Sequence, residues 1–270
     1  MPDRSAFEQL LRRDRIVVGS GLAFATGLAW LYVVSTAGSG TVPITHGEMA
    51  GMSMDMPGMA MPAAPWSAGY FLMMLVMWAV MMSAMMLPAA TPMILLFAAI
   101  ARKNRDGLPP YVPTSLFALG YLLLWLGFSL AATSLQWGLD RLALLSSSLA
   151  TASVAVAGAV LIAAGVYQLT PLKAACLRHC RAPLEFLTRH WRRGRRGALL
   201  MGAHHGLYCI GCCWMMMLVL FVGGVMNLAW IAGLALYVLI EKTIPAGHWV
   251  GRLAGVALIS WGAAILSAGL

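Results

Sequence analysis

Charged residues are scarce in this chain, at 10% of 270, where a soluble domain carries about 25%. Apolar residues make up 61%. That balance excludes a water-soluble globule and a disordered chain. Cysteine is sparse as well, with five residues, which excludes a disulfide-rich secreted module. The phosphate-binding string G-x-x-x-x-G-K-[ST] is missing, which argues against ATP-driven pumping by this chain alone. Lys and Arg are wholly absent between Ile16 and Ala101.

The basic residues that are present come in islands: Arg4 to Arg15, Arg102 to Arg105, Lys173 to Arg196, and Lys242 with Arg252. Apolar runs separate them, and about 20 apolar residues cross a bilayer. The pattern predicts an all-α, polytopic transmembrane bundle of about seven spans, near 16–34, 69–87, 114–136, 149–169, 198–222, 225–243 and 249–268. Cytoplasmic loops hold the excess of Lys and Arg. A cytoplasmic N-terminus leaves only Arg141 of the 18 basic residues outside, so that orientation is expected. The net charge of +9 then reads as a topology signal with some attraction to anionic membrane lipids, and no nucleic-acid partner is needed.

The chain divides into a basic N-terminus with its first helix (1–34), an external Met-rich segment (35–68) and a six-span membrane domain (69–270). The last contains a basic cytoplasmic loop at 170–197. The first apolar run exceeds the 7–15 residues of a signal-peptide core, so an uncleaved span is expected, although Ser35-Thr36-Ala37 resembles a cleavage site. Pro88 and Pro92 predict a kinked second helix, because proline removes a backbone donor. Gly223-Gly224 leaves almost no loop, so the helices on either side should lie antiparallel and in contact.

Sulfur is abundant and clustered. Six of the residues between His46 and Met61 are Met, including Met52, Met54, Met56 and Met59. Methionine normally fills cores, and no core is expected here. Thioethers are soft ligands that suit Cu(I), so metal capture is one reading and an interfacial segment dipping into lipid is the other. In the second span Met73, Met77, Met81 and Met85 recur every four residues and share a helical ridge. Such a ridge is either packing or a soft-metal path.

The fifth span carries the most specific pattern, His204-His205 followed by Cys209, Cys212 and Cys213. At about 100° per residue, Met201, His205, Cys209, Cys212 and Met216 fall on one sector. Imidazoles and thiols in hydrocarbon are costly without partners, and intramembrane ionisable groups mark functional sites. A bound soft cation would satisfy them together. The alternative is inert buried cysteines with backbone-bonded histidines. Cys176, His179 and Cys180 offer a further group at the cytoplasmic mouth, as metal ligands, as a redox pair, or as ordinary reduced cytosolic thiols. Arg178 and Arg181 beside them would favour thiolates, whereas Lys173 and the Arg189–Arg196 run read as a solvated, lipid-facing surface. Glu241 reads as snorkelling to water or pairing with Lys242, or else as closing the metal site. His190 and His248 fall at loop or interface positions.

Several strings together resemble a known family. They are Met77-Trp78 through Met85-Met86-Leu87-Pro88, then Tyr167-Gln168-Leu169-Thr170-Pro171-Leu172-Lys173 with Cys176 and His179-Cys180. Gly206-Leu207-Tyr208-Cys209 through Cys212-Cys213-Trp214 and Glu241-Lys242 continue the pattern. The chain is similar, over about residues 70–265, to an uncharacterised bacterial family described as predicted metal-binding integral membrane proteins, some labelled copper chaperones. The resemblance implies metal binding and supports copper. The expected function is therefore Cu(I) handling in the bacterial inner membrane, by transfer, transport or chaperone-like delivery to a periplasmic or membrane cuproprotein. Zinc also suits Cys and His, although thioethers argue against it. Two other readings stay open: a membrane thiol-disulfide oxidoreductase, and a non-catalytic assembly factor with a structural metal.

Overall fold

The computed structural model describes residues 4–38, 66–103, 111–145, 151 and 153–268. The Met-rich positions Met52, Met54, Met56 and Met59 lie outside these residues. Ten helices and no strands are found among the described residues: α1 Arg4–Gly38, α2 Ala68–Lys103, α3 Tyr111–Arg141, α4 Val154–Gln168, α5 Pro171–Arg181, α6 Pro183–His190, α7 Gly194–Leu218, α8 Leu220–Gly223, α9 Leu228–Thr243 and α10 Gly247–Ala268.

Seven spans are expected from the apolar runs, but five helical stretches are long and apolar enough to cross a membrane: Ile16–Ala37, Ala68–Arg102, Val112–Arg141, Gly194–Gly223 and Gly247–Ala268. A sixth arises if α4 and α5, bent by 64°, count as one broken span. The shortfall is a matter of length. α4 has 15 residues and α9 has 16, which gives about 22–24 Å at 1.5 Å per residue against a hydrocarbon core of about 30 Å. The chain turns at Thr170, whose side chain caps α5 by accepting from the Lys173 amide, and Pro171 occupies the first turn. A capped proline start ends one helix and opens the next.

α2 runs as one helix of 36 residues through Pro88 and Pro92. Pro88 has no N–H to bond the carbonyl of Ala84. That carbonyl instead accepts from Trp30 Nε1 of α1 at 3.1 Å. The bond ties α1 to the bundle, while most of α1 remains open to its surroundings; Phe24 and Leu31 are 69% and 66% exposed. Exposed apolar side chains on α1, α3 and α10 suit an acyl-chain environment.

α3 packs on α7, α4 on α10, and α2 on α1 and α3. Small residues allow the α3–α7 approach. A Cβ at Gly202 would run into the Phe117 carbonyl, and one at Gly120 into that of Leu199. Beyond α8 the backbone turns at Gly224, whose φ of 91° favours glycine. Asn227 then caps α9 by accepting from the Trp230 amide at 3.2 Å. α9 returns along α2 more than along α7, so the short Gly-Gly turn does not make its two flanking helices close neighbours throughout.

Candidate metal centre

The three cysteines of α7 face inward, each only 1% exposed. The carbonyl of Cys209 accepts from Cys212 Sγ at 3.1 Å and from Cys213 Sγ at 2.9 Å. Those thiols therefore turn back on their own helix and need no other polar partner. All five cysteines of the chain are free.

Four further helices close around this face. α5 brings Cys180, whose Sγ lies 3.9 Å from Cys212 Sγ. α2 brings Met86, whose Sδ lies 4.0 Å from Cys213 Sγ. α3 brings Tyr121, whose hydroxyl stands 3.1 Å from Cys209 Sγ and donates to the Met86 carbonyl at 3.2 Å. α9 brings Lys242, whose ammonium donates to Cys209 Sγ at 2.9 Å. Lys242 is 8% exposed. A cation buried this deeply needs a compensating negative or strongly accepting group, and sulfur is the group it contacts.

Cys176 and Cys180 lie one turn apart on the face of α5 that meets α7. Cys176 does not join the other thiols. Its Sγ packs over Gly211, where an added Cβ would stand 2.8 Å away. Tyr167 fixes the same point by donating to the Gly211 carbonyl at 2.5 Å. His205 is buried one turn before Cys209, its Nδ1 without a hydrogen-bond partner. His204 turns instead toward His190 and Tyr208. His179 donates from Nδ1 to the Ala175 carbonyl at 2.9 Å and stacks on Tyr208. Met77, Met81 and Met85 are buried in the bundle. It is Met86, off their ridge, whose sulfur reaches a thiol. Among the described residues no three His, Cys, Asp or Glu side chains converge closely enough to hold an ion as they stand.

A second polar group lies beside this chamber. Lys173, read as solvated, is only 2% exposed and pairs with Glu241, which is 0% exposed. Gln168 accepts from the same ammonium, and Tyr237 donates to Glu241 at 3.0 Å. Glu241 thus pairs across helices with Lys173 and not with its neighbour Lys242. The step of about 100° between neighbours on a helix sends these two adjacent residues of α9 to different sites. Sequence reasoning passed over Lys242 and Tyr121 as parts of the thiol chamber. The cation was a visible signal, being a basic residue within an apolar run.

These features define a membrane-type helical protein with a buried thiol chamber. The chain belongs to the PpoB2 copper chaperone family, whose profile matches residues 75–265. The match spans α2 to α10 and includes every residue of the chamber. No curated protein and no solved structure matches the chain.

Proposed function

We propose that this chain is a multi-pass membrane chaperone that carries Cu(I) on the thiolates of Cys209 and Cys212, with Cys180, Cys213 and Met86 alongside as neutral sulfur donors. The observation that carries the reading is the Lys242 ammonium 2.9 Å from Cys209 Sγ, in a chamber where a second helix brings a thiol to 3.9 Å from Cys212. Thiolate ligands bind metal in their deprotonated form. Two thiolates and one Cu(I) carry a net charge of −1, and the ammonium cancels it in a medium where an uncompensated charge is costly. The same sum with a divalent ion and two thiolates leaves an unneeded positive charge. Soft sulfur donors favour Cu(I) as well.

Loading requires Cys212 and Cys213 to rotate away from the Cys209 carbonyl, so the resting arrangement is a closed set of ligands. The Met-rich segment collects the ion on the far side of an inner membrane, and the α2 methionines line its way inward. A cuproprotein receives it. The basic islands support a cytoplasmic N-terminus.

A thiol-disulfide exchange role draws support from the same Cys180–Cys212 approach. One comparison separates the two. Reduced wild-type protein and Cys209→Ser/Cys212→Ser are given Cu(I), desalted and analysed for copper and free thiols. One equivalent more copper in the wild type than in the variant, with every thiol still reduced, is expected. Equal copper in both removes the chamber from the account. A disulfide that cycles with a quinone replaces the chaperone reading with the exchange role.

A further inference from the structure

Four of the six histidines of the chain, His179, His190, His204 and His205, gather around Phe186 and Tyr208. Only the last of them lies beside the thiol chamber, one turn before Cys209. His190 closes α6 and His204 belongs to α7. Their rings meet edge to face with centroids 4.7 Å apart. Both line an open pocket of about 350 Å³ together with Met201 and Arg192.

Each ring is held in a way that leaves a nitrogen free. His190 Nδ1 donates to the Phe186 carbonyl at 3.1 Å. That bond fixes the tautomer, so in the neutral ring Nε2 carries the lone pair. Anchoring one ring nitrogen on a carbonyl in this way is how proteins orient a metal-binding imidazole. His204 makes no hydrogen bond among the described residues, and both its nitrogens remain available. Two facing imidazoles with no carboxylate beside them suit a monovalent soft ion. Arg192, on the wall of the same pocket, repels any cation, a divalent one about twice as strongly as Cu(I).

The position of the pair is as informative as its chemistry. Phe186 separates it from the chamber, with ring centroids 5.7 Å from His204 and 5.6 Å from His205. His205 in turn lies one helical turn from Cys209. We infer that His190 and His204 form a second Cu(I) site, a two-nitrogen station at the partly open side of α7, from which the ion passes by Phe186 to His205 and the thiols. This inference rests on the proposed Cu(I) cargo. It adds an imidazole site that holds copper before or after the chamber does.

Full-length protein in detergent is titrated with Cu(I) against a chromophoric chelator, and X-ray absorption is recorded after one and after two equivalents. The expected result is two bound equivalents, the first in a sulfur shell and the second adding nitrogen. His190→Ala/His204→Ala should fall to one equivalent, still sulfur-bound. Cys209→Ser/Cys212→Ser should keep one equivalent with nitrogen scattering only. A single sulfur-bound equivalent in the wild type, or a second equivalent that survives the histidine substitutions, overturns the inference and leaves the chamber standing. Loss of all copper from the thiol variant, with the wild type binding one equivalent, does the same. Copper bound by neither thiols nor imidazoles sinks the chaperone reading itself. The wild-type spectra decide the matter even if a variant does not fold.

Discussion

Replacing Lys242 by methionine tests the charge balance of the chamber. The substitution keeps the length and apolar stem of the side chain and removes its ammonium. At the observed 2.9 Å from Cys209 Sγ, a unit charge pair is worth about 6 kcal/mol gross at an effective dielectric of about 20. Desolvation offsets most, but not all, of that gross figure. The surplus is on the order of 1.4–2.8 kcal/mol, which corresponds to roughly 10- to 100-fold in affinity. Lys242→Met should therefore bind Cu(I) about 10- to 100-fold more weakly than wild type, and Lys242→Arg should recover most of the loss. Competition with a chromophoric Cu(I) chelator measures both, with a thermal melt in detergent to show that each variant is folded. A folded Lys242→Met that binds within about threefold of wild type would refute the reasoning, because the cation would then have no part in holding the cuprous complex.

Three other outcomes follow from the same geometry. Cys180→Ala should weaken Cu(I) binding in that chelator assay, whereas Cys176→Ala, whose sulfur packs over Gly211, should leave the stoichiometry unchanged; equal losses would place both thiols at the ion. Gly211→Ala drives a Cβ to 2.8 Å from Cys176 Sγ, and overpacking of this kind costs about 1–3 kcal/mol, so a lower melting temperature is expected, and Cys176→Ala in the same chain should restore it. Glu241→Gln strands the buried Lys173 ammonium, a change that costs about 3–5 kcal/mol, while the paired Lys173→Met/Glu241→Leu should melt closer to wild type; a single variant as stable as the wild type would show that the pair is not held in the buried state.

The all-helical class, with stretches long and apolar enough to cross a membrane, was legible in the sequence because it follows from composition and run length. The individual helices were legible where an apolar run was long, as in α2 and α7. The spans expected at 149–169 and 225–243 were not separable from shorter helices, since periodicity does not reveal that α4 stops at Thr170 or that α9 is only 16 residues long. The cap at Thr170-Pro171 was there to be read. The thiol face of α7 was equally plain, because one helix holds Cys209, Cys212 and Cys213 in register. Partners from other helices were not. Met86 lies one residue beyond the regular methionine ridge, and only the packing of α2 against its neighbours turns its sulfur toward Cys213. Lys173 looks like any member of a basic loop until the bend after α4 carries it to Glu241. His190 acquires a role only when α6 folds back on α7 and sets it against His204.

X-ray absorption at the copper edge of the reduced, detergent-solubilised protein carrying a single equivalent of copper tests the central claim most directly. The account predicts a Cu(I) edge and a first shell of sulfur, lost in Cys209→Ser/Cys212→Ser. A first shell of nitrogen or oxygen alone, or the same sulfur shell in that variant, would contradict it.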